Sequence, residues 1–308
     1  MMKIKVWGAA AGGGLPQWNC TCSNCSALRE NDPGIKPRTQ SQLAISTDDK
    51  NWFLINASPD LRQQLISNPE AHPDSTKGPR STPIDGIFLT SADLDHVLGL
   101  LLLREFTPIR IYATRPVITI LQQNSFFQML DRLPGQSRWT EIEPDVSFDA
   151  GCGLTCTPVP VSESLPAYIS DHDRESLDPA GATVGLLFED PDGVRMAYFP
   201  ALPAVSSSLK KLLSTCAVIF IDGTFWKDDE LQELQPGTPS ARSMGHLPIS
   251  GPEGSLAALQ DLKGIRKIYT HINNTNPILR EQSSERREVE DAGWEVAWDG
   301  LEITLKAE

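Results

Sequence analysis

No apolar run in this 308-residue chain is long enough to cross a bilayer. The longest, Val97 to Leu103, falls far short of the ~20 residues that a spanning helix needs. The opening segment has no signal-peptide core either, because between Met1 and Gly8 the basic Lys3 and Lys5 alternate with Ile4 and Val6 in a strand pattern. A cytoplasmic protein is expected. Basic charge is scarce: 40 Asp and Glu stand against 27 Lys and Arg, a formal net charge of -13, and no Lys/Arg run interrupts that balance. A nucleic-acid backbone or an anionic bilayer would be repelled, so nucleic acid and membrane insertion drop out of the expected partners. Internal repeats and low-complexity tracts are absent. With 40% hydrophobic and 22% charged residues the chain has an ordinary globular composition, and a single domain over residues 1 to 308 is expected.

What the chain does contain is a succession of short, β-rich apolar runs bounded by Gly, Pro, Asn or Asp. They are Ile4 to Trp7, Gln42 to Ile45, Trp52 to Ile55, Ile84 to Leu89, Ile109 to Tyr112, Leu154 to Val161, Thr183 to Phe188, Met196 to Phe199, Ala217 to Ile221, Lys267 to Tyr269 and Trp294 to Trp298. Helical patterns lie between several of them: Pro59 to Ile66, with Ser58 as N-cap, then Asp95 to Glu105, Pro116 to Leu130, Ser206 to Leu213, Pro252 to Leu262 and Pro277 to Glu290. Strands that cluster and then alternate with helices in each half imply an α/β fold of two mixed sheets packed face to face with helices outside. Three long irregular stretches, Ser67 to Pro83, Ser162 to Gly181 and Lys227 to Gly251, are either loose insertions or covers over a site.

Three of the six cysteines crowd into Cys20-Thr-Cys22-Ser-Asn-Cys25, behind the turn Gly12-Gly13-Gly14. Three thiolates on one tight loop can take three corners of a tetrahedron around a soft divalent ion, and structural Zn2+ is the expected occupant. A closed site needs a fourth ligand from elsewhere. Cys152, Cys156 and Cys216, scattered among apolar neighbours, are expected in the core. Gly12 to Gly14 lacks the Lys-Ser/Thr of a phosphate loop and is a turn.

A second constellation follows the run ending at Thr90. Ser91-Ala-Asp93-Leu-Asp95-His96 leads straight into a helical pattern, and side chains on such a turn converge above the strand end, where α/β sheets hold their ligands. Asp93 or Asp95 could instead cap the helix. Two further strand ends carry Asp222, in Ile219-Phe-Ile-Asp222-Gly-Thr224, and His271, in Lys267-Ile-Tyr-Thr-His271-Ile-Asn-Asn274. Asp, His, Asp and His from three strand ends make a metal pocket. His72 and His172 sit in Pro- and Asp-rich loops and are expected to be solvated.

The order strand, Ser91-x-Asp93-x-Asp95-His96, helix, then Asp222 and His271 after later strands resembles the metallo-β-lactamase superfamily, whose junction reads His-x-His-x-Asp-His. The Cys20-x-Cys22-x-x-Cys25 cluster resembles the structural zinc loop of its phosphonate-pathway phosphodiesterase branch. Gly12-Gly-Gly-Leu-Pro-Gln-Trp-Asn-Cys20, Arg38-Thr-Gln-Ser41, Asn56-Ala-Ser-Pro-Asp60, Met244-Gly-His246 and His271-Ile-Asn-Asn-Thr-Asn-Pro277 are similar, along nearly the whole chain, to the family of pyrroloquinoline quinone (PQQ) biosynthesis proteins. The resemblance implies an αββα sandwich.

Two departures bear on chemistry. Ser91 and Asp93 replace the first two histidines of the superfamily pattern, and Pro158 to Ser162 offers none where a third would fall. One metal site is thereby lost, while Asp95, His96, Asp222 and His271 remain for an active-site Fe2+, with Zn2+ or Mn2+ as alternatives. Asp93 is then a fifth ligand or a carboxylate orienting His96 or His271. The branch's fourth zinc ligand, a His three residues after the last active-site His, is replaced by Asn274, whose amide oxygen is a poor donor. His246 matches a substrate-facing histidine of related hydrolases, with acid/base or anion-binding character, or is a surface loop residue. Arg38 is a bidentate anchor for a carboxylate-rich substrate or a structural ion pair.

Three functions follow from the resemblance. The first is an iron-dependent, oxygen-using hydroxylase of a tyrosine-derived, Glu-Tyr-like PQQ precursor. The second is a carrier of PQQ or its precursor that assists transport to the periplasm. The third, a residual hydrolase, is disfavoured by the loss of the two-ion arrangement. A homodimer is left open.

Overall fold

The computed structural model describes residues 1–105 and 107–307. In chain order the described strands are β1 (Met2–Gly8), β2 (Gln42–Ser46), β3 (Trp52–Ile55), β4 (Ile84–Phe88), β5 (Ile109–Ala113), β6 (Ser137–Glu141), β7 (Phe148–Gly151), β8 (Leu154–Ser162), β9 (Thr183–Glu189), β10 (Arg195–Phe199), β11 (Val218–Asp222), β12 (Arg266–Thr270), β13 (Trp294–Val296) and β14 (Glu302–Leu305). They belong to two seven-stranded mixed sheets. The chain falls into two compact units, Met1–Trp7 with Gln42–Val194 and Gly300–Glu308, and Gly8–Ser41 with Arg195–Asp299.

The first unit holds one whole sheet in the order β14-β1-β2-β3-β4-β5-β6, antiparallel at β1/β14 and β2/β3 and parallel from β3 to β6. It also holds the antiparallel strands β7, β8 and β9 of the other sheet. Pro158 and Pro160 sit within β8 because β7 pairs only with Leu154–Cys156, so beyond that point one side of β8 needs no N–H for a ladder. An aromatic cluster joins the two groups of strands: Phe88 lies 4.7 Å from Tyr112 and 5.1 Å, edge-on, from Phe188, and Tyr112 stacks on Phe148 at 5.6 Å. Such pairs add about 0.5–1.5 kcal/mol beyond the area they bury.

The second unit is built on the parallel strands β10, β11, β12 and β13, whose interior carries the buried Tyr198, Phe220 and Tyr269. Tyr269 stacks on Trp294 at 4.2 Å and shares a hydrogen bond with Ser255.

The strands absent from the sequence reading are β6, β7 and β14. Each is a sheet edge, with much of its surface facing solvent, so its apolar pattern is faint. Five helical expectations change. Asp95 to Glu105 is a single helical turn over Leu94–Val97 followed by a 3-10 segment over Leu98–Leu103, and Pro252 to Leu262 shortens to Ser255–Ala258. The helix expected from Pro59 runs over Leu61–Ser67 with Asp60 at the N-cap position, because the Ser58 hydroxyl is taken by Gln64 Oε1 instead of capping. Pro116 to Leu130 breaks at Asn124, which accepts the Phe126 N–H, leaving a helix over Arg115–Gln123 and a 3-10 turn over Phe127–Asp131. Pro277 to Glu290 splits into a 3-10 turn capped by Asn276 and a helix over Ser284–Asp291 capped by Ser283. Cys156 and Cys216 are buried as expected, but Cys152 is exposed, at φ +54° in the β7–β8 turn.

Two local constraints shape the site regions. In the first unit the chain after β3 is clamped to the segment after β4: Ala57 N–H donates to His96 O, and Gly99 N–H donates to Ala57 O. A β-carbon on Gly99 would sit 2.3 Å from Ser58 O and 2.8 Å from the Ala57 carbonyl, a clash with backbone on both counts. In the second unit the buried Glu230 accepts from Trp226 N and pairs with Thr275 Oγ1, tying residues 226–230 to the 275 loop. Burial pushes its carboxyl up to about 7, against those hydrogen bonds.

Gly99→Ala is therefore expected to destabilise the protein by about 1–3 kcal/mol, read as a lower urea midpoint at unchanged m-value. An unchanged midpoint would show that the 57/99 approach is not tight. Glu230 supplies a pH test. Its folded pKa lies above the unfolded value of about 4.3, so its contribution is full below that value and is lost as pH rises through about 7. Glu230→Gln should flatten the fall in stability between about pH 5 and 7 by up to ~3 kcal/mol; identical wild-type and variant slopes in urea titrations would contradict the assignment.

Candidate metal and active site

The cysteine loop lies in the second unit. Cys22 stands at the N-cap of a short helix, Ser23–Arg29, which carries Cys25 inward. This helix escaped the sequence reading, because its seven residues contain one Ala and one Leu and otherwise polar or sulfur side chains. The three Sγ atoms lie within 4.8 Å of one another. Asn274 faces all of them: its Nδ2 is 3.2 Å from Cys20 Sγ, 3.5 Å from Cys22 Sγ and 3.3 Å from Cys25 Sγ. Backbone N–H groups of Cys22 and Gln17 point at Cys20 and Cys25 sulfur respectively, an arrangement suited to thiolates. Burial opposes ionisation of Cys20, but the Cys22 N–H and neighbouring thiols outweigh it and hold Cys20 below the usual thiol range. Burial pushes Cys22 up to about 11. Asn24 fixes the opposing loop by donating to both Asn274 O and Asn276 O. The three sulfurs can take three corners around a tetrahedral ion, while Asn274 meets them through Nδ2, an N–H donor and not a ligand atom.

The same unit gathers Asp222, His246 and His271, with ligand atoms within 4.8 Å of one another. Asp222 ends β11 and is buried. Its Oδ2 accepts from Leu202 N at 2.9 Å and lies 2.7 Å from His246 Nδ1, and its Oδ1 accepts from Thr224 N at 3.0 Å and Thr224 Oγ1 at 2.6 Å. Burial raises its pKa, yet the charge and hydrogen bond of His246, with His271 and Thr224, bring it below the ordinary carboxylate value. His271 follows β12 at φ +54°, a left-handed conformation uncommon outside glycine. Its carbonyl oxygen and its Nδ1 each lie 2.9 Å from Thr224 Oγ1. The His246 and His271 rings are nearly parallel, 5.6 Å apart. His246 is thus no surface loop residue: the segment from Lys227 to Gly251 carries it onto Asp222.

The Asp/His junction lies in the first unit. Asp93 occupies the N-cap position of the turn Leu94–Val97 but does not cap it. Its carboxylate accepts from Ser91 Oγ at 2.7 Å, and Ser91 Oγ is 2.8 Å from Nδ1 of the buried His96. Asp93 therefore acts on His96 through Ser91. Asp95 Oδ2 is 3.9 Å from His96 Nε2. Asn56, at φ +67°, accepts from both Thr90 N and Thr90 Oγ1, and Thr90 Oγ1 lies 3.2 Å from His96 Nδ1. The 162–181 stretch includes a short helix over Asp171–Ser176, and Tyr168 donates to Ala92 O at 2.6 Å, which holds this stretch against the junction. Burial pushes the Tyr168 phenol up to about 12.

Arg38 is 7% exposed and donates from Nε to Ala297 O. Burial draws its pKa down to about 10 against the pull of Asp299. This placement suits the structural alternative better than the substrate anchor. His72 and His172 are exposed, His72 bonded to Ile66 O. Thr90 and Glu230 were not singled out by the sequence; Asn56 was visible only as the start of Asn56-Ala-Ser-Pro-Asp60, and Thr224 only by its place in Asp222-Gly-Thr.

Residues 51–272 match the model of the β-lactamase superfamily domain. A coenzyme PQQ synthesis protein B from Methylobacterium sp. (strain 4-46) is 43% identical over 304 residues, covering 99% of this chain and all of that protein. The crystal structure of Zn(2+)-bound PqqB from Methylobacterium extorquens is 39% identical with a TM-score of 0.91, covering 98% of this chain and all of that one. A diphosphatase of the PhnP family, 19% identical with a TM-score of 0.68 over 99% of this chain and 98% of its own, shares the fold. The chain has the metallo-β-lactamase-like fold of two mixed sheets flanked by helices, and it belongs to the coenzyme PQQ synthesis protein B family.

Proposed function

We propose that this chain acts in PQQ synthesis as an iron-dependent, oxygen-using hydroxylase of a tyrosine-derived, Glu-Tyr-like precursor, working in the cytoplasm as one functional domain. The pathway rests on full-length similarity to proteins of that name. The reaction class rests on one observation: where the superfamily pattern has its first two metal-binding histidines, Ser91 and Asp93 are hydrogen-bonded to each other and, through Ser91, to His96. They serve as supports for a ligand, so the donor set is that of one ion, not two.

Asp95, His96, Asp222 and His271 would hold that ion. The fit is chemical: the set is carboxylate and imidazole without thiolate, Asp222 is buried yet kept ionised, and both histidines have Nδ1 engaged by hydroxyl oxygens. Ferrous iron bound to such a set supplies oxygen activation. His246, anchored to Asp222 through Nδ1, has Nε2 with which to take or return a proton from a substrate hydroxyl or amine. Tyr168 and the 162–181 stretch limit water around the Asp/His junction. The Cys20, Cys22 and Cys25 site, which Asn274 faces, would hold Zn2+ with a structural role.

Anaerobically purified protein should contain one zinc and, after Fe(II) loading, one iron per chain, and should consume oxygen only with a Glu-Tyr-type dipeptide. His271→Ala should abolish both iron binding and uptake. Zinc alone, with tight PQQ binding and no uptake at any metal loading, would turn the reading to a carrier. Cys22→Ser should lose zinc and lower the melting temperature by at least about 5 °C, since structural zinc contributes folding energy. A variant that keeps both would overturn the zinc assignment.

A further inference from the structure

The hydroxyl groups around the site histidines obey a simple count. A hydroxyl carries one proton, so once it donates to an oxygen it can only accept from anything else. At His96 two hydroxyls are within reach of Nδ1. Thr90 Oγ1 donates to Asn56 Oδ1, and the identity of that oxygen is secured because it also accepts the Thr90 backbone N–H, which can only donate. Ser91 Oγ donates to the Asp93 carboxylate. Both therefore present lone pairs to Nδ1, at 3.2 and 2.8 Å.

Thr224 repeats the device in the second unit. Its Oγ1 has two proton-free acceptors, Asp222 Oδ1 at 2.6 Å and His271 O at 2.9 Å. Whichever takes the proton, the hydroxyl offers a lone pair to His271 Nδ1 at 2.9 Å. His246 Nδ1 faces the same hydroxyl at 3.1 Å and Asp222 Oδ2 at 2.7 Å, again two acceptors.

We infer that Thr90, Ser91 and Thr224 are positioning residues that hold His96, His246 and His271 as the Nδ1–H tautomer, so that Nε2 is the nitrogen each presents for ligation or proton transfer. The opposite tautomer would set lone pair against lone pair, at His96 and His271 between buried groups. Asp93 acts one step further out, by taking the Ser91 proton. A metal ion thus meets imidazoles that need no proton rearrangement, and groups of this kind change metal affinity about 10–100-fold. The inference rests on reading these side chains as metal ligands, and not on the oxygen chemistry.

The test is two-bond 1H–15N correlation on protein labelled with 15N-histidine that keeps its cysteine-loop zinc and has no ion added at the Asp/His site, together with Mn(II) affinity measured from the free-ion EPR signal. Mn(II) is the probe because the thiolate cluster competes poorly for it. All three histidines should show a protonated Nδ1 and a bare Nε2. Thr224→Val, nearly isosteric, should turn His271 into a tautomer mixture and weaken Mn(II) binding about tenfold or more, and Thr224→Ser should restore both. Ser91→Ala should do the same to His96. Retained zinc at the cysteine loop marks a folded variant. A wild-type His96 or His271 with a bare Nδ1, or a folded Thr224→Val protein with unchanged tautomers and affinity, would overturn the inference. Wild-type protein with the Nδ1–H tautomers but no oxygen uptake would overturn only the hydroxylase reading.

Discussion

A carboxylate buried at the end of a parallel strand sets the constraint around which the second unit is organised. Asp222 stays ionised out of contact with water, and an isolated buried charge would cost far more than the whole stability of a domain. Its two oxygens therefore collect four donors: Leu202 N, Thr224 N, Thr224 Oγ1 and His246 Nδ1. They bring three segments to the strand end. Leu202 follows β10, Thr224 begins the next loop, and His246 comes from the long stretch that the sequence left undefined. Thr224 then reaches His271 after β12, so one charge orders three strand ends of the parallel set.

The first unit solves the corresponding problem with neutral groups. Gln42 donates to Ile55 O and Asn56 O and accepts from Ser58 N, so the turn after β3 is satisfied from within. Asn56 can then turn its oxygen toward Thr90, in a left-handed conformation that this network stabilises. The fixed turn, with Gly99 pressed against it, positions His96 from both its backbone and its ring. The two arrangements differ in chemistry and agree in result, a histidine whose Nδ1 is hydrogen-bonded to hydroxyl oxygen.

Much of this was legible from residues alone. The interior strands announce themselves by apolar runs, and the strand-end positions of Asp95, His96, Asp222 and His271 follow from runs that stop at polar residues. Edge strands β6, β7 and β14 were not legible, because a strand paired on one side has little apolar surface to show. The helix of Cys25 was hidden by its shortness, and its start is set by the loop geometry at Cys22, not by a capping side chain. The roles of Thr90, Asn56 and Glu230 were hidden for another reason. Their importance lies in which atom holds a proton or carries a buried charge, and that depends on neighbours distant in the chain.

The substitution of Ser91 and Asp93 into a junction that otherwise reads His-x-His gains a sharper meaning from the geometry. Loss of two ligands would be expected to leave polar groups stranded in a site built for an ion, at a cost of about 1–3 kcal/mol for each unsatisfied group. Here the replacements satisfy each other, since the Ser91 proton goes to Asp93 and the Ser91 lone pair faces His96. Asp93 N–H also donates to Ser91 Oγ, closing the turn. On the one-ion reading proposed above, a site remodelled in this way exchanges a second ion for closer control over a remaining imidazole. That exchange would suit the proposed chemistry, in which one ion keeps open positions beside fixed ligands.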